Sequence, residues 1–408
     1  MSAANTTPWR STRTTTSHTS QHSPSSSEDQ MRRPVPLFTA IVAIAGVSAI
    51  GSSSIAATYP TLKWTAVFDA TGPAGAYGAV QRNAFELAIS DMQNGKLDSG
   101  GQQISISLQD SATSPAQVIN IIQPALTDGA SLIIGPTLSS EFFKAAPLAV
   151  GAHVPEMGVS TTATGIPELG PCVYRDALSE AQIVPNVVKD VVAAWHVKTA
   201  AIVYGDDDSF TKSDYTLYDS AFKAAGVRIV DIETFHKGDV DFRAQLTKAQ
   251  QARPDVIVYG ADIAEGAKLL EQARQIGITA HTIGGNGFNT PKVVALAGKA
   301  ADGVVVGSAW YSGEETKGNQ AFVTSYRARF GQLPDQFAAQ AYAGVQIAVA
   351  AVKRHHPSDA AAMCEALKSV GTVETVVGPF RFASSRDADA RGAVVQIKNG
   401  AFGKFEGT

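Results

Sequence analysis

The sequence predicts an α/β protein built as two similar lobes of parallel sheet wrapped by helices, and three observations carry that reading. Between residues 62 and 158, strand-like and helix-like segments alternate, which is the signature of βαβ units. After residues 172–175 the alternation restarts and runs to residue 306, so one chain carries the pattern twice. Hydroxyl clusters follow two of the apolar runs: Thr137, Ser139 and Ser140 come after Leu132–Ile134, and Ser160, Thr161 and Thr162 come after 154–158. In a parallel sheet both clusters lie at strand carboxyl ends, beside helix N-termini whose free N–H groups and positive dipole ends favour an anion. Two readings stand at this point, a berth for a small carboxylate or mere helix capping and turn chemistry.

Taken in order, the first strand is Leu62–Phe68, followed by a loop containing Gly72, Gly75 and Gly78. A helix is expected over 79–92, on the period of Val80, Phe85, Leu87, Ala88 and Ile89. The glycine spacing is neither the P-loop nor the dinucleotide fingerprint, which leaves a backbone that closely approaches some ligand. A strand at 104–108, a helix at 115–126 opened by Pro115, and the strand at 132–134 continue the series. The next helix runs from the hydroxyl cluster to near Ala152, and a strand at 154–158 closes the first half. The second half reads as helix 181–195, strand 199–204, helix 213–225, strand 227–233, helix 241–251, strand 256–259, helix 264–276 and strand 303–306. Helices at 319–330, 337–355 and 359–369 and a strand-and-turn region at 375–405 complete the chain. The apolar stripe Ala343, Val345, Ile347, Ala348, Val349 and Val352 reads as core packing, and His355-His356 before Pro357 as a helix end rather than a metal site.

The 408 residues are 44% hydrophobic and 17% charged, enough for two domains with real cores. Residues 1–30 are dominated by Ser and Thr and are expected to be disordered. Met31-Arg32-Arg33, an uncharged apolar stretch over 35–50 and small residues to Ala57 have the three parts of a secretory signal peptide, over about 31–57. Cleavage is expected after Ala56 or Ala57, and Met31 is the expected true start; the apolar part is short of the roughly 20 residues that span a bilayer. Without residues 1–57 the chain loses four Arg and two acids, leaving 29 basic and 35 acidic residues, a net of −6. That balance argues against nucleic acid as a partner. Cys172 and Cys364 are too few for a disulfide framework or a cysteine metal site, and their wide separation leaves their pairing open.

No catalytic constellation has the right context: there is no G-x-S-x-G elbow, no H-E-x-x-H, no P-loop and no spaced Cys/His set. Asp206-Asp207-Asp208 reads as an acidic turn capping the next helix rather than an EF-hand loop. Gly284-Gly285-Asn286-Gly287 places backbone N–H groups after a short strand, and as a pure turn signal it is equally good.

Across residues 62–405 a series of short motifs keeps a specific order and spacing. They are Thr71-Gly72-Pro73 with Tyr77-Gly78, Ile134-Gly135-Pro136 with Ser139, Val159-Ser160-Thr161-Thr162, and Gly238-Asp239 with Asp241-Phe242. Gln272-Ala273-Arg274, Gly284-Gly285-Asn286-Gly287 and Gly378-Pro379-Phe380 complete the set. In these the chain resembles the periplasmic branched-chain amino-acid-binding proteins, the type I solute-binding components of ABC transporters. The resemblance implies two Rossmann-like lobes joined by three crossover strands, with a ligand trapped when the lobes close. Lobe one would comprise 58–177 and 308–377, and lobe two 178–307 and 378–408.

The resemblance further implies that the α-carboxylate of an amino acid is held by Ser139, by Ser160 through its main chain, and by Thr162. Tyr77 matches an aromatic that lines the ligand side-chain pocket, and Phe210 the lobe-two aromatic that closes over the ligand. Where amino-acid binders of the family place an acid for the ligand ammonium, this chain has Asn286, an amide that gives up a charge-assisted hydrogen bond. Asp262 and Glu180 are the candidate substitutes; the alternative is that both are solvated surface acids. The resulting expectation is a non-enzymatic periplasmic receptor for a small carboxylate-bearing solute. It would act as a monomer, without cofactor or metal, and hand its ligand to a membrane permease. The alternatives are a ligand sensor signalling to a membrane partner, a binder of a non-amino-acid organic acid or amide, and an enzyme acting on a small acid.

Overall fold

A computed structural model of the chain describes residues 58–407, so the expected extension and signal peptide lie outside the described residues. The first half builds β1 (Leu62–Phe68), α1 (Gly75–Gln93), β2 (Ile104–Asp110), α2 (Pro115–Thr127), β3 (Leu132–Ile134), α3 (Ser139–Gly151), β4 (Glu156–Gly158) and β5 (Val173–Arg175). All five strands pair in parallel in the order β2-β1-β3-β4-β5. β3 and β4 are buried end to end, as a strand covered by helices on both faces must be.

The second half builds α4 (Glu180–Trp195), β6 (Thr199–Gly205), α5 (Ser209–Ala224), β7 (Arg228–Phe235), α6 (Arg243–Gln251), β8 (Val256–Gly260), α7 (Ile263–Gln275), β9 (His281–Gly284), α8 (Pro291–Ala297) and β10 (Val305–Ser308). Its parallel strands run β7-β6-β8-β9-β10, the same winding order as the first sheet. The chain then returns through α9 (Asn319–Phe330), α10 (Gln336–His355) and α11 (Ala360–Lys368). β11 (Val373–Thr375) and β12 (Gly378–Phe380) form a separate antiparallel pair, after which β13 (Ala393–Lys398) and β14 (Ala401–Lys404) extend the second sheet beyond β10, both antiparallel. The two sheets thus form the two lobes of a type I periplasmic-binding-protein fold.

α10 explains why the first lobe needs the late part of the chain. Fifteen of its residues are buried, including the whole apolar stripe read from the sequence, because it lies between α1 and α11 over the first sheet. The disulfide between Cys172, just before β5, and Cys364 of α11 ties the same helix layer to that sheet, with Cα atoms 5.6 Å apart across 192 residues of sequence. Such a bond belongs to an oxidising compartment.

Two helix starts differ from the sequence expectation. α1 begins at Gly75, inside the glycine-rich loop, and α5 at Ser209, where the Asp208 carboxylate accepts hydrogen bonds from the N–H groups of Phe210 and Thr211 at 2.8 and 3.2 Å. The glycine loop also makes a close approach within the chain. A Cβ at Gly78 would collide with the backbone of Asp69, so the glycine lets α1 pack directly on the end of β1.

Candidate functional site

The first lobe brings its two hydroxyl clusters together at the carboxyl ends of β3 and β4. Leu138 occupies the N-cap position of α3, and no side chain caps that helix, so its first-turn N–H groups face the site unclaimed by a neighbouring side chain. Ser139 Oγ accepts from the Ala163 N–H at 3.3 Å, which ties the start of α3 to the 160–163 loop and leaves the hydroxyl hydrogen free to donate. Arg175 fixes that loop from below, its Nη1 donating to the carbonyls of Thr161 and Ala163 at 3.1 and 2.6 Å. Two other hydroxyls are already committed. Thr137 Oγ1 donates to Gln81 Oε1 at 2.7 Å, and Ser160 Oγ accepts from Gln81 Nε2 at 2.6 Å while donating to the Val159 carbonyl at 2.7 Å. Ser160 therefore has only its main chain to offer.

The second lobe faces this edge with a different set. Phe210 sits in the first turn of α5, Asp262 at the N-cap of α7, and Asn286 in the short turn after β9. Asn286 Oδ1 accepts from Gln336 Nε2 at 2.8 Å and Asn289 Nδ2 at 3.0 Å, so the amide turns its NH₂ group, a donor, toward the site. Tyr77, from the first lobe, spans the gap. Its hydroxyl donates to the Gly287 carbonyl at 2.9 Å and accepts from the Ile263 N–H at 2.6 Å, while its ring packs on Phe337 with centroids 4.5 Å apart. Thr164 N–H donates to Ser213 Oγ at 3.1 Å, a further contact between the lobes. The arrangement is closed.

Between the two edges lies a small cavity of about 20 Å³, lined from one side by Tyr77, Thr137, Leu138, Ser139, Ser160, Thr162 and Phe337 and from the other by Phe210, Asp262, Asn286 and Gly287. Seven of the eight residues singled out from the sequence therefore line one cavity. Glu180 is the exception. It starts α4 behind Thr162, where its N–H donates to the Thr162 carbonyl at 2.9 Å and its carboxylate bonds the Thr162 side chain. Neither substitute acid is a solvated surface group: Glu180 is 1% exposed, and the Asp262 side chain is 14% exposed.

Carboxyl groups crowd around this cavity. Burial raises the pKa of Asp262 to about 7, helped by Asp208, while Lys237, with Nζ 3.8 Å from its carboxylate, works against the rise. Burial and the adjacent Asp69 push Glu141, in the first turn of α3, to about 9. Glu141 is thus protonated at neutral pH and does not oppose an anion at the start of its helix. Glu180 and Asp214 lie buried against each other, both with raised pKa values, chiefly from desolvation. Lys237 is held protonated: burial disfavours its charge, but Asp262, Asp208, Glu265 and Glu141 outweigh that cost. Gln81, Arg175, Lys237, Glu141 and Asp214 were not legible as site residues, because tertiary packing alone brings them here.

Asp206, Asp207 and His236 place potential ligand atoms within 4.8 Å of one another, with Asp207 and His236 exposed. His236 Nδ1 lies 2.7 Å from Asp206 Oδ1, and Asp207 accepts from the Lys237 N–H at 3.0 Å.

Comparison with known proteins agrees with this architecture. The profile of the family described as periplasmic binding protein matches residues 62–401. The leucine-, isoleucine-, valine-, threonine- and alanine-binding protein of Pseudomonas aeruginosa is 25% identical over 358 residues, covering 88% of this chain and 94% of that one. Among solved structures, the branched-chain amino acid transporter substrate-binding protein of Streptococcus pneumoniae in complex with isoleucine superposes with a TM-score of 0.78 at 25% identity, covering 84% of this chain and 97% of that one. A solute-binding protein of an ABC transporter from R. palustris, in complex with benzoate, gives 0.76 at 22% identity, covering 85% of this chain and 95% of that one. By the match of its sequence to the family profile over most of its length, this chain belongs to the periplasmic binding proteins, in the type I branch that contains the branched-chain amino-acid binders.

Proposed function

We propose that this protein is the periplasmic receptor of an ABC transporter. It captures a small carboxylate-bearing solute of the amino-acid class between its two lobes and delivers it to a membrane permease. The observation that carries the reading is the single cavity in which the uncapped start of α3, Ser139 and Thr162 face Phe210, Asp262 and Asn286 across the gap. Unpaired N–H groups at a helix N-terminus, with a free hydroxyl beside them, are suited to a carboxylate. The facing wall supplies the aromatic and polar cover that closure brings down on the ligand. Work of this kind needs no bond making: the ligand stabilises the closed arrangement over an open one by its differential affinity. The relatives are binding proteins named for amino acids and, more distantly, for an aromatic acid, which supports a carboxylate as the common feature. An oxidising compartment, implied by the Cys172–Cys364 bond, fits a periplasmic location.

A thermal-shift screen of the purified mature chain against amino acids, amides and aromatic acids tests the proposal, because a ligand that prefers the folded form raises the melting temperature. Calorimetry on the best hit then tests the site. Ser139→Ala should weaken binding by about 1–3 kcal/mol, the usual cost of losing a hydrogen bond to a charged group, and Thr162→Ala by less, because the Thr162 hydroxyl is shared with Glu180. Unchanged affinity in both variants would refute the assignment of the carboxylate to this edge.

A further inference from the structure

We infer that a second cavity, where the chain leaves β10 to return to the first lobe, is a binding site for a small uncharged aromatic molecule carrying an N–H or O–H donor. Filling it favours the closed arrangement of the lobes. The inference goes beyond the receptor reading and does not depend on which solute the cleft takes.

Size and walls set the class of guest. The cavity measures about 190 Å³, and Trp310, Tyr311 and Phe402 give it aromatic walls, with Leu333, 47% exposed, at its rim. An apolar cavity of about 150 Å³ takes up benzene, so this one has room for a single substituted ring or an indole. The walls are held in place. Trp310 Nε1 donates to Asn319 Oδ1 at 2.9 Å and its carbonyl accepts from Ser308 Oγ at 2.7 Å. The Tyr311 ring lies over Gly313, where a Cβ would come within 2.9 Å of it. Aromatic walls that are already ordered favour a flat ring and cost little to organise when it enters.

The polar part of the lining sets the charge. Ser308 and Gln336 are spent on each other at 2.9 Å, and Asn289 on the Gly307 carbonyl at 2.7 Å. Asp335 is the one charged residue in the lining, which contains no Lys, Arg or His. Burial raises its pKa to about 6, so at neutral pH it is a carboxylate. A carboxylate with no cation in the lining opposes an anion and accepts from a donor. The first-lobe edge of the cleft, which offers donors, has the opposite preference.

The link to closure comes from where the lining originates. Residues 333–336 lead into and open α10 over the first sheet, whereas Val395, Ala401 and Phe402 belong to β13 and β14 of the second. Two residues of the lining also reach the cleft: Gln336 and Asn289 both donate to Asn286 Oδ1, at 2.8 and 3.0 Å, and Asn286 lines the cleft cavity. A rotation that parts the lobes therefore pulls apart the walls of both cavities. A molecule that fits the second cavity as it stands binds the closed arrangement better than an open one and raises its population.

Calorimetry and saturation-transfer NMR on the mature chain, with phenol and indole as probes, test the inference. Both should bind with a Kd of about 0.1–1 mM, a range open to ligands of so few atoms. Ala401→Trp, which fills the cavity from an exposed position on β14, should weaken both by about 10-fold or more at an unchanged melting temperature. Leu333→Ala, at the exposed rim, should weaken them by about 2- to 5-fold. Phenylacetate, an anionic counterpart, should bind Ala401→Trp as it binds wild type, because any site it finds is the cleft. Tyr77→Phe touches the cleft and not this cavity, yet it should weaken phenol by about 2- to 10-fold, since the closed arrangement becomes a smaller fraction of the population. The site is refuted by no binding of either probe, or by equal binding to wild type, Ala401→Trp and Leu333→Ala. Phenylacetate lost together with phenol in Ala401→Trp would overturn the charge preference, and phenol affinity unchanged in Tyr77→Phe would overturn the link to closure.

Discussion

The two lobes wind their parallel strands in the same order, yet they present opposite chemistry to the gap between them. At the edge of the first sheet, α3 starts with no side-chain cap and the residues around it are Ser139, Ser160 and Thr162. At the edge of the second, α5 is capped by Asp208, α7 is preceded by Asp262 and carries Glu265 in its first turn, and Asp214 follows a turn later on α5. One edge leaves the N–H groups of α3 for a guest; the other spends those of α5 on the Asp208 carboxylate and the first of α7 on the Tyr77 hydroxyl. The lesson is that topology fixes where a ligand sits, at the carboxyl ends of the strands, whereas the residues just after each strand decide its polarity. A bipolar solute, anionic toward the first lobe and cationic toward the second, fits that division.

The strongest way to break this comparison is to make the first edge resemble the second. Ser139→Asp places a carboxylate in the first turn of α3, where it suits the helix dipole but repels the ligand anion. Binding should fall on the order of 100-fold or more, read by calorimetry, since like-charge juxtaposition at an interface costs several kcal/mol. Melting temperature should hold or rise, because a negative charge in the first turn favours the helix dipole. A smaller effect is expected from Tyr77→Phe, which removes the hydroxyl that joins α1 to Gly287 and Ile263 of the second lobe. Losing those two bonds should weaken binding about 5- to 30-fold while small-angle scattering records a more open ensemble.

The subtlest effect concerns pH. Glu141 carries a pKa of about 9, raised by burial and by Asp69, so the folded chain holds a proton there that the unfolded chain gives up near 4.5. The sign follows from linkage. Stability contributed by that proton is complete below pH 4.5 and declines as pH rises toward 9, because over that range the native state binds the extra proton. Ionised Glu141 would also put a negative charge in the first turn of α3, the helix whose start is proposed to hold the ligand carboxylate. Wild-type affinity should therefore drop as pH climbs through 9, and Glu141→Gln should flatten both that decline and the fall of melting temperature between pH 5 and 9. Parallel curves for the two proteins would remove Glu141 from the site.

Much of this architecture was legible because it is local. Strand, turn and helix follow one another within short spans, and the clusters at 137–140 and 160–162 sit immediately after their strands, so reading the alternation also brought out the edge proposed for the carboxylate. α1 and α5 were misjudged at their starts, since Gly75, Gly78 and the acidic run before Ser209 carry turn-like composition while serving close packing and capping. What stayed hidden depends on distant partners. Asp214 looks like one more polar residue of an amphipathic helix until α4 buries it against Glu180. Lys237 follows a strand with no sign that Asp262 awaits it, and Gln81 joins Thr137 to Ser160 from two turns into α1. Cys172 and Cys364 meet only because α11 packs back on the first sheet.

A crystal structure of the mature chain grown with the amino acid that it binds tests the central claim most directly. The account predicts the ligand carboxylate at hydrogen-bond distance, about 3 Å, from Ser139 Oγ and the first-turn N–H groups of α3, with the rest of the molecule covered by Phe210. A carboxylate held instead against the second sheet's edge, or a ligand outside the gap between the lobes, would contradict it.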